Sequence, residues 1–194
     1  AQGIGLATAQ AFAEEGASVG LLDLNEGLAK EGADAIMAAG GSALGYCCDV
    51  GNEASVKTAI DAVADAFGPI SVGMANAATL TQPVAIADMT LETWNQALSV
   101  NLTGVFLTAK YLIPQMITAG GGSIIITASQ MARVATPGRG AYCATKGALL
   151  QLAKVIALEH SGQNIRANTL SPGGIATDRL AKQFGDLDAA EREW

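Results

Sequence analysis

The sequence predicts an α/β fold built on a mostly parallel sheet, and three observations support this. Strand-like apolar segments alternate with segments of helical periodicity, which is the pattern of βαβ units. A glycine turn, Gly3-Ile4-Gly5, opens the first helical segment. The run Ile124-Ile125-Ile126 is apolar on both faces of an extended chain, as in strands of a parallel sheet that is covered on each side.

The first part of the chain consists of helix–strand pairs in which each helix is followed by glycine. Gly16 follows the first helix, Gly40-Gly41 the second and Gly68-Pro69 the third, and such residues are typical of helix ends. The third helix has apolar residues at helical spacing, which are Val56, Ile60, Val63 and Phe67. The predicted helices span residues 4–15, 26–39 and 53–67, and the strands span residues 17–23, 43–49 and 70–75.

The second part continues the alternation with longer helices. Residues 76–90 are predicted as a loop and residues 91–117 as helix, in one piece or two, with Pro114 near its end. The remaining predicted segments are a strand over 123–127, a loop over 129–140, a helix over 141–159, a strand over 164–170 and a break at 171–174. Because no repeat or linker interrupts this order, we expect one domain over residues 1–194.

Length, charge and cysteine count exclude several classes of function. The 194 residues suffice for a sizeable core, and 50% hydrophobic with 15% charged residues is unlike a disordered chain. A net charge of -7 without a basic run disfavours nucleic acid and membrane surfaces as partners. The most apolar helix carries Lys146 and Lys154, so no membrane span is expected. Three cysteines and one histidine are too few for a disulfide scaffold or an ordinary zinc site, and we expect no metal.

The two ends suggest part of a longer chain. The sequence begins at Ala1 without a methionine and stops at Trp194 in a charged, helix-like stretch. The sequence therefore does not decide whether a signal peptide precedes Ala1. We expect a cytoplasmic location.

The segment from Gly3 to Asp23 has the features of a dinucleotide site. Glycines let the backbone approach a pyrophosphate, and the N–H groups and dipole of a helix N-terminus stabilise its charge. Asp23 lies 18 residues beyond Gly5 at a strand end, where a carboxylate accepts hydrogen bonds from ribose hydroxyls and repels a 2′-phosphate. Since Gln2 and residues 24–27 supply no base, the segment favours NAD over NADP. For this segment alone, an ordinary tight turn and a solvated strand end are the alternative.

Tyr142 and Lys146 lie four residues apart in a predicted helix and so share one face. A nearby ammonium stabilises the phenolate form of a tyrosine, which suits the phenol to acid–base catalysis near neutral pH. Ser129 follows the isoleucine strand, where a parallel sheet places its binding crevice, and its hydroxyl can donate to a carbonyl oxygen. Asn101 lies in an apolar helical segment and is costly to bury unpaired, which indicates that its side chain makes a specific hydrogen bond. The alternatives are a snorkelling lysine, a serine that caps a strand end and a solvent-facing asparagine.

These motifs occur together in one order, which is Gly3-Ile4-Gly5, Asp23, Cys48-Asp49-Val50, Asn76-Ala77-Ala78, Asn101, Ser129, Tyr142 with Lys146, and Pro172-Gly173. The order and spacing resemble those of the classical short-chain dehydrogenases/reductases, over essentially the whole chain. The resemblance implies a Rossmann-type doubly wound sheet with helices on both faces. The first strand and the C-terminal strand of that fold are missing from this sequence, so we do not expect these residues alone to be active.

The resemblance also implies a role for each site residue. Tyr142 resembles the acid/base, and Lys146 resembles the residue that stabilises its phenolate and binds the nicotinamide ribose. Ser129 resembles the residue that polarises the substrate oxygen. Asn101 resembles the residue that holds a water in a proton relay to Lys146. The implied cofactor contacts are Asp49 and Val50 at the adenine, Asn76 and Ala77 along the adenosine, and Ile175 and Thr177, after Pro172-Gly173, at the carboxamide and phosphate.

The implied reaction is reversible hydride transfer between NAD and a secondary alcohol or ketone, a small-molecule substrate. Members of this family are commonly tetramers or dimers built through the two long helices, so we expect a homo-oligomer. The alternatives are an NADPH-dependent 3-oxoacyl carrier-protein reductase, which Asp23 disfavours, and a non-catalytic NAD-binding regulator, which the complete catalytic set disfavours. Candidate substrate contacts are residues 79–82 and 130–133, Gly138, Arg139 and the segment after Gly174. The sequence departs from the family pattern in lacking the Thr-Gly that opens the glycine motif and in having Ala78 where glycine is usual.

Overall fold

Helices and parallel strands alternate in the computed structural model, which describes residues 1–177. The helices are α1 (Gly3–Glu14), α2 (Glu26–Ala38), α3 (Glu53–Phe67), α4 (Leu91–Leu98), α5 (Gly104–Thr118) and α6 (Gly140–His160). The strands are β1 (Ser18–Asp23), β2 (Ser42–Cys47), β3 (Val72–Ala75), β4 (Gly122–Thr127) and β5 (Ile165–Leu170). The predicted α/β order is confirmed, and most element ends lie within two residues of the predicted ones.

The strands form two parallel groups within residues 1–177. β1 pairs with β2, and β3, β4 and β5 follow one another in a second group, with every pair parallel. No ladder joins the two groups in this part of the chain, as the resemblance predicts for a sheet that lacks a central strand. Because all strands run the same way, their carboxyl ends share one edge, and that edge carries the candidate site.

α3 packs against both groups of strands. Its residues Val56 and Ile60 are buried in the main core with Ile124 and Ile126 of β4. On the other side, Val63 of α3 lies so close to β1 that a Cβ on Gly20 would overlap it. Burial of α3 therefore supplies the contact that connects β1 to the core under β4.

The helix predicted over residues 91–117, in one piece or two, forms two helices in the structure. It is divided by a π-helical turn, Ser99–Thr103, between α4 and α5. Pro114 lies inside α5, which continues to Thr118. The π turn carries Asn101, so the irregular backbone coincides with a candidate site residue, as π turns often do.

Two helical segments have the length and mean hydropathy of membrane spans, which are Leu91–Thr118 and Gly140–Gln163. Both have a plainer explanation in this fold. Leu112 and Met116 of α5 and Leu149 and Ile156 of α6 are buried in the same core cluster as the sheet. These segments are apolar because one face of each covers the sheet.

Candidate active site

The carboxyl ends of β3, β4 and β5 bring the later motifs together. Asn76 follows β3, Ser129 follows β4 by two residues, and Pro172 follows β5. The N–H of Gln130 donates to the carbonyl of Pro172 at 2.9 Å, which ties the segment after β4 to the segment after β5. The sequence-predicted crevice is therefore located at this edge.

Lys146 is held at the end of β4. Its side chain is 1% exposed, and its Nζ donates to the carbonyl oxygen of Thr127 at 2.6 Å. The same Nζ lies 5.7 Å from the centre of the Tyr142 ring. Burying an ammonium is costly unless polar partners receive it, so this placement is specific and differs from a snorkelling surface lysine. The predicted pairing of Tyr142 with Lys146 on one helical face is present.

Ser129 begins a short 3-10 turn, Gln130–Ala132, that lies on α6. Its Oγ accepts a hydrogen bond from the N–H of Met131 at 3.1 Å, and its side chain is 8% exposed. The hydroxyl hydrogen of an oxygen that accepts in this way is available for a second bond. The turn approaches α6 closely, because a Cβ on Gly147 would lie 3.7 Å from the Ala132 carbonyl. Ser129 and the Tyr142 helix are thus in packing contact through this turn.

Asn101 is fully buried, so the solvent-facing alternative is wrong. Its Oδ1 accepts from the N–H of Thr79 at 2.7 Å, and its Nδ2 donates to the carbonyl of Thr79 at 2.9 Å. The side-chain amide thus pairs with both backbone groups of one residue, Thr79, in the segment after β3. A π turn also displaces backbone hydrogen bonds from their helical partners, which places polar backbone groups near the site. The water relay implied by the resemblance stays a prediction.

The glycine turn lies against the other predicted cofactor residues. Gly3 has a φ of +56°, which favours glycine, and a Cβ there would lie 3.3 Å from Thr177 Cγ2. A Cβ on Gly5 would lie 2.9 Å from Asn76 Nδ2, too close without displacement. The backbone nitrogen of Ala1 lies 3.0 Å from Asp23 Oδ2. The turn, Asp23, Asn76 and Thr177 therefore surround one location.

The remaining predicted cofactor residues lie around this location with different exposure. Asp49 is exposed, and its Oδ1 accepts from the N–H of Gly51 at 2.9 Å, which fixes the loop after β2. Val50 is half-buried against α5, because a Cβ on Gly104 would lie 2.8 Å from Val50 Cγ2. Ala77 is exposed after β3. Cys48, the residue before Asp49, is buried, and this burial raises the pKa of its thiol, consistent with the predicted core role.

The segment after β5 completes this side. Gly173 lies near Gln130, whose Oε1 would be 3.4 Å from a Cβ at that glycine. Ile175 and Thr177 line a groove of about 750 Å3 with Gly3, Ile4 and the outer face of α1. Candidate substrate contacts beyond Thr177 lie outside the described residues.

The arrangement fits a dinucleotide. Glycines at positions 3 and 5 leave out the side chains that would fill the turn, as the close approaches of Thr177 and Asn76 show. The turn leads directly into α1, whose first N–H groups suit a pyrophosphate. A carboxylate at the end of β1 suits the ribose hydroxyls. In the described part of the chain, no three His, Cys, Asp or Glu side chains cluster as they would to hold a metal ion.

One site residue was missed by the sequence reasoning. Thr127 ends the isoleucine strand. Its Oγ1 donates to Asn76 Oδ1 at 3.0 Å, and its carbonyl oxygen accepts a hydrogen bond from Lys146 Nζ. A threonine directly after three isoleucines was the available signal. Arg139 was considered as a substrate contact, and the structure shows its Nη1 donating to the carbonyl of Thr81 at 2.8 Å.

Comparison with known proteins gives consistent matches along the chain. Residues 1–194 match a protein family described as enoyl-(acyl carrier protein) reductase. A 2,5-dichloro-2,5-cyclohexadiene-1,4-diol dehydrogenase of Sphingobium indicum is 42% identical over 187 residues, which are 96% of this chain and 74% of that protein. D-threitol dehydrogenase of Mycolicibacterium smegmatis is 40% identical over 182 residues, covering 92% of this chain and 68% of that protein.

Solved structures show the same similarity in three dimensions. A 3-ketoacyl-ACP reductase from Sinorhizobium meliloti 1021 superimposes with a TM-score of 0.88 at 36% identity, covering 90% of this chain and 69% of that one. A short-chain type dehydrogenase/reductase from Mycobacterium marinum gives a TM-score of 0.89 at 35% identity, with 95% and 74% coverage.

Proposed function

The chain belongs to the short-chain dehydrogenase/reductase family, and on that premise we propose that it uses NAD and that Tyr142 is its acid/base. As a member with dehydrogenase relatives, it is an NAD(P)-linked oxidoreductase that acts on CH–OH groups. The observation that carries the assignment of Tyr142 is the buried ammonium of Lys146. It is held by the Thr127 carbonyl and lies 5.7 Å from the Tyr142 ring.

In the proposed mechanism, each catalytic side chain acts on the substrate oxygen or its proton. In alcohol oxidation, Tyr142 as phenolate takes the hydroxyl proton while the carbinol C–H bond breaks and its electron pair leaves as hydride. Lys146 stabilises the phenolate, and Ser129 donates a hydrogen bond to the substrate oxygen as it becomes a carbonyl. The bound nicotinamide supplies the hydride acceptor, and the reduced cofactor supplies the donor in the reverse direction.

Substitution of Tyr142 tests this mechanism. We expect Tyr142→Phe in the complete protein to lower kcat by about 10²–10⁴-fold, the range of acid–base contributions, while NAD binding is retained. The matched control is Tyr111→Phe, because Tyr111 lies on α5 and bonds Glu53 at 2.9 Å, outside the site. Turnover at the wild-type rate in Tyr142→Phe would exclude this residue as the acid/base.

The preference for NAD rests on Asp23. Its Oδ1 accepts from the N–H of Asn25 at 2.9 Å, which fixes the carboxylate at the end of β1. A 2′-phosphate at this carboxylate meets like charge, whereas two ribose hydroxyls find acceptors.

The cofactor proposal is tested by comparing NADH and NADPH. We expect kcat/KM to favour NADH, and Asp23→Asn to reduce that preference by about tenfold, because the repelling charge is lost while the shape is kept. Asp61→Asn on α3 is the control, since Asp61 is paired with Lys57 there. A wild-type preference for NADPH would contradict the proposal and favour the 3-oxoacyl carrier-protein reductase alternative.

The substrate is proposed as a secondary alcohol or the corresponding ketone. Two relatives are named as dehydrogenases of a cyclic diol and of threitol, so diols and polyols come first in a substrate panel. The 3-ketoacyl-ACP reductase neighbour makes a 3-oxoacyl thioester the second substrate to test. Turnover of thioesters with no turnover of alcohols would favour that alternative. We also propose that the chain forms a single NAD-binding domain. The protein is proposed to be a cytoplasmic homo-oligomer.

A further inference from the structure

The segment of residues 79–84 lies between the two helical regions that carry the catalytic side chains. It follows β3 and Asn76, and it includes the candidate substrate contacts over 79–82. At its beginning, the Asn101 side chain binds both the N–H and the carbonyl of Thr79, at 2.7 and 2.9 Å. This end of the segment is therefore attached to the π turn.

The other end of the segment is attached to the beginning of α6. Arg139, the residue before α6, donates from Nη1 to the carbonyl of Thr81 at 2.8 Å. The N–H of Val84 donates to the carbonyl of Gly138 at 3.1 Å, and Val84 and Arg139 form an isolated parallel bridge. Tyr142 follows Arg139 by three residues, in the first turn of α6.

Packing at Gly138 brings the two backbones close together. Gly138 has a φ of +77°, and a Cβ there would lie 3.1 Å from Pro83 Cβ. Two residues further on, a Cβ on Gly140 would overlap the Ile86 side chain. The segment and the start of the Tyr142 helix are thus in contact along the backbone, and Arg139 supplies the side-chain bond between them.

We propose that Arg139 is a positioning residue that fixes the 79–84 segment as the substrate-facing wall opposite Tyr142. The inference rests on the proposed function, since it concerns the substrate of that site. The guanidinium is half-buried and its bond to the Thr81 carbonyl is charge-assisted, so it holds the wall more firmly than a neutral contact. With the wall fixed at both ends, the non-reacting part of the substrate is held at a set distance from the phenol, which is how positioning contributes to rate.

The test uses Arg139→Met, which replaces the aliphatic part of the side chain and removes every donor, with Arg139→Lys as the conservative variant. We expect Arg139→Met to raise the substrate KM by about tenfold or more, the effect of losing one charge-assisted hydrogen bond. NAD affinity and the pH profile of kcat should stay within about twofold of wild type, since the bond from Lys146 to Thr127 and the bond from Asn25 to Asp23 do not involve Arg139. Arg139→Lys should recover most of the loss, because an ammonium also donates to a carbonyl.

The control is Arg166→Met, because Arg166 is an exposed arginine near the start of β5, at the opposite edge of the sheet. Amide hydrogen exchange gives a readout that does not depend on turnover. We expect faster exchange at Thr81 and Val84 in Arg139→Met and unchanged exchange in Arg166→Met.

Two results would overturn the proposal. Unchanged exchange over residues 79–84 in Arg139→Met would show that Arg139 does not hold the wall, whatever substrate the enzyme uses. Faster exchange with an unchanged substrate KM would show that the wall does not position substrate. Failure of the proposed function is separate, because it is decided by turnover in Tyr142→Phe, which leaves Arg139 and its bonds intact.

Discussion

Thr127 shows how one residue joins the two ends of the candidate site. Its backbone carbonyl receives the Lys146 ammonium, and its hydroxyl donates to Asn76, whose amide nitrogen lies against Gly5. The side chain is 8% exposed, so these bonds are made where water competes little. Thr127 therefore links Lys146, a candidate catalytic residue, to the glycine turn.

Replacing the Thr127 hydroxyl removes the bond to Asn76 and leaves the backbone carbonyl that binds Lys146. We expect Thr127→Val to weaken NAD binding several-fold and to destabilise the fold by about 1–3 kcal/mol, because Asn76 Oδ1 loses a buried donor. Thr127→Ser should restore both, since it keeps the hydroxyl. Calorimetric titration with NAD and thermal unfolding measure the two effects.

The control for Thr127 is Thr118→Val. Thr118 is the exposed last residue of α5, and its Oγ1 donates to the Pro114 carbonyl at 3.0 Å. Equal losses of NAD affinity in both valine variants would contradict the link through Asn76.

At the level of elements, close approach of helix and strand explains glycines that sequence motifs leave unexplained. A Cβ on Gly45 of β2 would overlap the backbone carbonyl of Ala29 in α2. Backbone has no rotamer to move aside, so glycine is required here for packing.

On the protein surface, Glu53 of α3 accepts hydrogen bonds from Lys110 and Tyr111 of α5, and the bond from Lys110 lowers the pKa of Glu53.

Gly45→Ala tests the close packing of α2 on β2. We expect a loss of about 1–3 kcal/mol in the free energy of unfolding, the usual cost of overpacking, measured by denaturant titration. Gly162→Ala is the matched control, because a Cβ there has no heavy atom within 4 Å and needs no positive φ. The explanation fails if both variants are equally stable.

At the level of the whole molecule, the long helices present apolar side chains away from the core. Phe106 and Ile117 of α5 are 48% and 44% exposed, and Val155 and Leu158 of α6 are 47% and 79% exposed. Apolar side chains that are exposed on long helices are typical of surfaces that bind another subunit.

This surface gives a prediction for assembly. We expect the complete protein to be a homo-oligomer, and Leu158→Glu to shift it toward smaller species in sedimentation experiments, because a buried unpaired carboxylate opposes association. Met37→Glu is the control, since Met37 is 48% exposed on α2 beside the β1–β2 pair. A monomeric wild-type protein would contradict the prediction.

Local patterns predicted most of the framework and the candidate side chains. Helix α3 was predicted with its observed ends, Glu53–Phe67, because its apolar spacing and its Gly68-Pro69 stop agree, and the structure adds a side-chain cap from Asn52. The predicted strand over 43–49 is two residues too long at its end. Cys48 continues the apolar sequence of the strand, but the ladder with β1 ends at Cys47. The π turn was not predicted, because its geometry depends on the pairing of Asn101 with the backbone of Thr79, a residue 22 positions away.

By itself, the sequence determined the alternation of helix and strand, the glycine turn and the identity of the four catalytic candidates. Periodicity and residue type carry that information, because they depend on neighbours along the chain. Only the tertiary structure decided that Lys146 is buried at the Thr127 carbonyl, that Asn101 binds Thr79 and that Arg139 holds Thr81. These bonds join residues that are 19, 22 and 58 positions apart, so they exist only once the strands have brought their carboxyl ends to one edge.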